Sequence, residues 1–296
     1  MNNFAENNPC PLKKEEMDSA ISSAIENSKK ELTNVDALKL LFNCIDLTSL
    51  NTEDSADGIR DFVDKVNDLH KHYDMVPQVA AMCVYPVFAP VLKSALKAKG
   101  VNIAVVSAGF PSSQTFTDVK KIETERAVDF GANEIDIVIS VGEFQEGNYE
   151  FAGEEIRMIK GVMKDAHLKV ILESGTLKDM EEIWLASILS MESGADFIKT
   201  STGKQQPAAT YEAAYVMLNA IKAFHKRTGK KIGFKPAGGI ATPEVAAVYY
   251  QLVKDILGEE WLNNELFRIG ASRLANSLIS EIQFLENGKK EEVKYF

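Results

Sequence analysis

Lys199 and Lys235 each close a short apolar run and are followed at once by small residues. The segments are Asp196-Phe197-Ile198-Lys199-Thr200-Ser201-Thr202-Gly203-Lys204 and Ile232-Gly233-Phe234-Lys235-Pro236-Ala237-Gly238-Gly239-Ile240. Burial at the end of an apolar strand favours the neutral form of a lysine, and a neutral lysine amine attacks carbonyl carbon to form a Schiff base. If the two strands are neighbours, their ammonium groups also repel. At about 6 Å and an effective dielectric of about 20 that repulsion is about 3 kcal/mol, or roughly two pKa units. A lysine that starts near ~10.4 then reaches ~8 or below. The plainer reading of any one strand-end lysine is a side chain that snorkels to solvent; two on consecutive strands facing one mouth weigh against it.

Other polar residues stand where neighbouring apolar runs end. Asp46 precedes Leu47-Thr48, Cys83 precedes Val84-Tyr85, and Lys169 lies at the start of the run that ends in Glu173. Asp136 sits among Ile135, Ile137, Val138 and Ile139. A carboxylate in such surroundings requires a partner, and the inward lysines are the candidates. Cys83 reads more simply as a small core residue, and Glu173 as one half of a rim pair. His70, His72, His167 and His225 fall outside the strand ends and read as surface residues. Gly203-Lys204, Gly238-Gly239 and Gly270-Ala271-Ser272 follow the last three runs. Backbone N–H groups of such turns, with a helix N-terminus behind them, bind phosphate, although tight turns alone also call for glycine. Gly203-Lys204 is not a Walker loop: Ile198 stands where the first glycine is needed and Gln205 where Ser or Thr is needed.

The elements that must carry these residues alternate. Apolar runs at 42–47, 79–84, 102–106, 134–139, 168–173, 197–200, 232–235 and 267–270 are separated by helical periodicity at 55–70, 117–130, 148–164, 177–193, 209–227 and 243–257, with a further helix at 274–285. Gly100, Gly131, Gly194 and Gly229 are helix stops before strands. Runs this apolar need cover on both faces, as in a parallel sheet. Eight such units predict an α/β fold of the TIM (β/α)8 barrel type. The rival doubly wound sheet would often show a glycine-rich fingerprint after the first strand, and there is none. Residues 1–34, charged and helical in pattern, read most simply as a surface extension at the N-terminus, and 35–296 as a barrel domain with a C-terminal tail.

Composition narrows the partners. The net charge of -10 argues against nucleic acid and acidic membranes, and no run approaches the ~20 apolar residues of a membrane span. Cys10, Cys44 and Cys83 show no Cys-x-x-Cys spacing, which indicates neither a disulfide framework nor a zinc site. With no signal pattern at the N-terminus, a cytoplasmic protein is expected. A homodimer is compatible with the sequence.

Asp46-Leu47-Thr48, Glu134-Ile135-Asp136-Ile137-Val138, Lys169-Val170-Ile171-Leu172-Glu173, the two lysine segments and Phe267-Arg268-Ile269-Gly270-Ala271-Ser272 occur in that order across residues 46–272. In this respect the chain resembles the deoxyribose-phosphate aldolase family. The resemblance implies a metal-free, cofactor-free class I aldolase acting on a small phosphorylated sugar, 2-deoxy-D-ribose 5-phosphate, and releasing D-glyceraldehyde 3-phosphate and acetaldehyde. It assigns Lys199 to the Schiff base, Lys235 to proton transfer and to the perturbation of Lys199, and Asp136 to proton transfer through water. Asp46, Cys83 and Lys169 match pocket-lining positions, and Thr202, Gly203, Lys204, Gly238, Gly239, Gly270, Ser272 and Arg273 fall to substrate binding. Two departures stand out. Ala241 occupies the place where family members often carry an arginine, and Arg273 follows Gly270-Ala271-Ser272 where a small hydroxyl residue is common, so Arg273 is the candidate replacement cation. Its alternative is an ordinary helix-surface residue. A C-terminal tyrosine covers the site in some family members, and Tyr295 is the weak counterpart here. Another Schiff-base barrel enzyme and a catalytically inert barrel are the remaining readings; the presence of Lys199, Lys235 and Asp136 speaks against the second.

Overall fold

A computed structural model describes residues 3–288 and 291–296; residues 1–2 of the extension and 289–290 of the Lys/Glu-rich tail lie outside the described residues. Eight short parallel strands, β1 (Ile45–Thr48), β2 (Ala81–Val84), β3 (Asn102–Val106), β4 (Glu134–Val138), β5 (His167–Ile171), β6 (Phe197–Lys199), β7 (Gly233–Lys235) and β8 (Ile269–Ala271), form one sheet. Their order is β7-β6-β5-β4-β3-β2-β1-β8. The two ends of that series meet. Parallel bridges join Phe234 to Phe267 and Ala237 to Gly270. Arg268 N–H donates to the Phe234 carbonyl at 3.0 Å, and Gly270 N–H to that of Pro236 at 2.9 Å. The sheet is therefore a (β/α)8 barrel, with helices outside and strand-end loops gathered at one mouth.

The flanking helices follow from local chemistry. Ala56–His72 starts where the Ser55 side chain accepts from Gly58 N–H, and it buries Ile59, Val63, Val66 and Leu69 at helical spacing. Asp179, Thr210 and Thr242 cap Met180–Glu192, Tyr211–Thr228 and Pro243–Leu257 in the same way. Gly229, at φ 74, ends the second of these in the left-handed conformation that glycine adopts without steric cost.

Two segments differ from the sequence reading. The apolar run at 42–47 crosses an element boundary: Phe42 ends up inside the helix Val35–Asn43, capped by Asn34, and only from Ile45 is the chain extended. Between β2 and β3 lies the short helix Ala89–Ala95, for which only the stop at Gly100 and no helical periodicity spoke; it ends five residues before that glycine. The helix Lys14–Ser28 lies against Tyr211–Thr228 and Pro243–Leu257 and adds Met17, Ile21 and Ala24 to the core. The last residues run back along Arg273–Asn287, where Asn276 Oδ1 accepts the N–H groups of Tyr295 and Phe296 at 3.0 and 2.9 Å. Among the described residues, no helix is long and apolar enough to cross a membrane.

Alternation along each strand sends every second side chain into the barrel. Around β2 and β3 these are small and apolar: Ala81, Cys83, Ala104 and Val106 form a cluster with Leu50, separate from the main core. β1, β4, β5, β6 and β7 send in charges, and Arg268, just before β8, adds another.

Candidate active site

Seven acidic and basic side chains meet in the barrel interior, and none is more than 4% exposed: Asp46, Glu134, Asp136, Lys169, Lys199, Lys235 and Arg268. The Arg268 guanidinium donates to Asp46 Oδ1 at 2.7 Å and to both oxygens of Glu134 at 2.7 and 3.0 Å. Lys169 donates to Glu134 at 2.5 Å and to Asp46 Oδ2 at 2.7 Å. Lys235 donates to Asp46 Oδ2 and, at 2.7 Å, to Asp136 Oδ2. Lys199 Nζ donates to that same Asp136 oxygen at 2.7 Å. The two lysine nitrogens are thus no farther apart than twice that distance. Asp136 Oδ1 is buried and accepts no hydrogen bond from the described residues, and Lys169 Nζ stands 3.6 Å from it.

The charges do not balance. Four cations (Lys169, Lys199, Lys235, Arg268) face three carboxylates (Asp46, Glu134, Asp136). A surplus buried charge is costly, and release of one proton removes it. Lys199 is the cation held least: it has one carboxylate contact, shared with Lys235. Burial pushes the Lys199 ammonium down from its ordinary value and the Lys235 charge adds to this, against the opposing pull of Asp136. Burial acts the same way on Lys235, but Asp136 and Asp46 outweigh it and hold Lys235 protonated above the usual lysine range. Burial would raise Asp136, yet Lys199, Lys235 and Lys169 keep it ionised well below the usual carboxylate range. The depression of Lys199 therefore comes from burial first and from the second lysine after it.

Over this network opens a cavity of about 220 Å³. Thr202, Gly203, Lys204, Gly238, Gly239, Gly270, Ser272 and Arg273 line it, and so does Lys199. Asp46, Asp136, Lys169 and Lys235 do not border it; they lie among the wholly buried charges. Lys199 is thus the one network member, among the described residues, that reaches the cavity. The loops are held at close range. Thr202 donates from its backbone N–H and its hydroxyl to Glu173 at 3.1 and 2.6 Å, so Glu173 anchors a loop through hydrogen bonds and not through an ion pair. Lys204 Nζ reaches the Leu50 carbonyl at 2.6 Å. A Cβ on Gly238 would stand 2.6 Å from the Ala208 methyl and 3.1 Å from Gly203 Cα, at a φ of +89°, so the approach of these two turns requires glycine. Ser272 precedes the helix Arg273–Asn287 without a side-chain cap bond, which leaves N–H donors of its first turn to the cavity.

Two residues fall elsewhere. Cys83 does not border the cavity; it packs with Ala81, Ala104 and Val106, and burial pushes its thiol up to about 11. Tyr295 is also away from the cavity: its hydroxyl donates to the Lys65 carbonyl at 2.7 Å and its ring packs on His72 and Tyr73. Ala241 and Arg273 both line the cavity. Sequence reasoning missed Glu134 and Arg268. Glu134 lies two residues before Asp136 on the same strand, so the period of two could have placed both inside.

The family model for DeoC/LacD family aldolases matches residues 40–255. The chain belongs to this aldolase family. Deoxyribose-phosphate aldolase from Homo sapiens is 43% identical over 255 residues, which covers 83% of this chain and 80% of that protein. The Bos taurus deoxyribose-phosphate aldolase is 41% identical over 271 residues, covering 88% and 85%. Among solved structures, the aldolase QR15 superposes with a TM-score of 0.67 at 30% identity over 84% of this chain and 97% of that one. Deoxyribose phosphate aldolase from Aeropyrum pernix, at 22% identity and a TM-score of 0.69 over 88% and 97%, shares the fold.

The aldolase interior makes acid stability a test of its charges. Asp46 and Glu134 have folded pKa values below their unfolded ones, so they stabilise the fold above the unfolded carboxylate range, and this is lost as pH falls. Arg268→Met removes their shared partner. It should cost about 3–5 kcal/mol and move the acid-unfolding midpoint, followed by circular dichroism, to higher pH. An unchanged midpoint would show that the guanidinium does not hold these carboxylates ionised.

Proposed function

We propose that this aldolase reversibly cleaves 2-deoxy-D-ribose 5-phosphate to D-glyceraldehyde 3-phosphate and acetaldehyde through a Schiff base on Lys199. The observation that carries the reading is that Lys199 alone belongs to both the surplus-charge network and the cavity wall. Its uncharged amine attacks C1 of the open-chain sugar; loss of water gives a protonated imine. A base removes the C3 hydroxyl proton, C2–C3 breaks, and the electron pair moves into the imine as an enamine. That bond is fixed by the products, since acetaldehyde retains C1 and C2. Protonation at C2 and hydrolysis then release acetaldehyde and free Lys199.

Asp136 suits the proton transfers, because its Oδ1 accepts no hydrogen bond from the described residues while Oδ2 is held by two lysines. Lys235 stays charged, so its part is electrostatic. Asp46, Lys169, Glu134 and Arg268 position these groups from below. The phosphate is taken by the turns at Gly203, Gly238-Gly239 and Gly270 with the first turn of Arg273–Asn287, and Arg273 supplies the cation that Ala241 cannot. On this reading no metal takes part, and cleavage persists in excess EDTA.

Three measurements test the proposal. Borohydride with acetaldehyde should leave an ethyl group on Lys199, found by peptide mass spectrometry; labelling elsewhere, or none, would remove the Schiff base from this residue. Lys235→Leu leaves three cations facing three carboxylates, so Lys199 keeps its proton: kcat should fall by about 100-fold or more near neutral pH, and the remaining activity should rise at higher pH. A pH profile like that of the parent would reject the coupling. Arg273→Ser should raise KM for the phosphorylated sugar by roughly 10-fold while leaving KM for 2-deoxyribose unchanged; equal effects on both would deny a phosphate contact.

A further inference from the structure

Glu173 is a buried carboxylate without a cation. It is 4% exposed, and among the described residues no lysine, arginine or histidine pairs with it. Burying such a group is costly unless its oxygens are hydrogen-bonded. Both oxygens are spent on one residue: Oε1 accepts the Thr202 N–H at 3.1 Å and Oε2 the Thr202 hydroxyl at 2.6 Å. The backbone of Glu173 is also constrained. At φ +52° it lies in the left-handed region that residues with a side chain seldom occupy. Such conformations persist only where the surroundings fix them, and they cluster at ligand-binding segments.

One further bond carries this contact to the cavity. Thr202 Oγ1, whose proton goes to Glu173, accepts the Lys204 N–H at 3.0 Å. The N–H groups on either side of Gly203 are thus taken, while that of Gly203 donates to nothing among the described residues. The same holds for Gly238 and Gly239, and all three glycines line the cavity. The segment after β5 braces the loop after β6 at two more points. Ser174 N–H donates to the Thr200 carbonyl at 2.8 Å, and a Cβ on Gly175 would stand 1.8 Å from the Pro207 carbonyl oxygen. We propose that Glu173 is a positioning residue for phosphate: by holding Thr202, and Lys204 through it, Glu173 keeps the Gly203 N–H available to a phosphate oxygen. This role rests on the reading of the cavity as a phosphate site. Its sign separates position from charge. A carboxylate near a bound phosphate repels it, so Glu173→Gln would tighten binding if charge alone mattered. An amide cannot accept from both Thr202 donors, so the same change loosens binding if the turn depends on Glu173.

Calorimetric titration of inorganic phosphate into the full chain, without substrate, tests the proposal. Glu173→Gln should raise the phosphate Kd about 10-fold. KM for 2-deoxyribose 5-phosphate should rise by a similar factor relative to KM for 2-deoxyribose. Thr202→Val, which lacks the hydroxyl, should weaken phosphate binding as well. Combined with Glu173→Gln it should add less than about 3-fold, because the two changes break one contact. A Glu173→Gln protein that binds phosphate as tightly as the parent, or more tightly, would overturn the role even if its Tm fell. A parent that binds no phosphate would overturn it too. If circular dichroism shows Glu173→Gln unfolded, Thr202→Val alone decides, and an unchanged Kd there overturns the role. A parent that binds phosphate but does not cleave 2-deoxyribose 5-phosphate would remove the proposed reaction and leave the role of Glu173 standing.

Discussion

One carboxylate oxygen, Asp136 Oδ2, accepts hydrogen bonds from two ammonium groups at once, and the rest of the interior is arranged around that sharing. A single anion cannot satisfy two buried cations. Lys235 resolves the conflict with a second carboxylate, Asp46. Lys199 has none, and it is the lysine that opens onto the cavity. Asp46 in turn is held by Lys169 and Arg268, and those two share Glu134. The chain of pairings therefore runs from a fully neutralised base up to one deliberately underpaired amine. Reactivity here is a matter of position in a charge count, with low dielectric giving each contact its weight.

The sequence made the upper half of this arrangement legible. A lysine that ends an apolar run has few reasons to be there, and both Lys199 and Lys235 do so just before glycine turns. Asp136 could be read from its aliphatic neighbours. The lower half was hidden for a geometric reason. Arg268 precedes β8 in a segment joined to β7 by isolated bridges, where no alternation marks which way a side chain points. Glu134 opens its strand, and only its spacing of two from Asp136 tells that it turns inward. The order of magnitude set for lysine–lysine repulsion was sound in sign, but burial is the larger cause, and burial depth cannot be counted along a chain.

Fold boundaries were lost for related reasons. Phe42 and Ile45 are both apolar and close together, so a helix end and a strand start merged into one run. The position of Tyr295 depends on two distant acceptors, Asn276 Oδ1 for its backbone and the Lys65 carbonyl for its hydroxyl. No local pattern announces partners 19 and 230 residues away. The helix Thr117–Asp129 was visible as a periodic segment, but its inward face carries Lys120, which is buried against Glu155 of the helix Tyr149–Gly161.

The seam between β7 and β8 has few ladder bonds, while the side chains at that seam reach across the barrel: Lys235 to Asp46 and Asp136, Arg268 to Asp46 and Glu134. The buried charges are thus also rivets of the wall. Such an interior resists gradual retuning, because a substitution that alters the proton affinity of Lys235 or its carboxylates also removes a contact across the barrel. Divergence to new substrates is freer at the rim, where Ala241 and Arg273 border the cavity without taking part in the rivets.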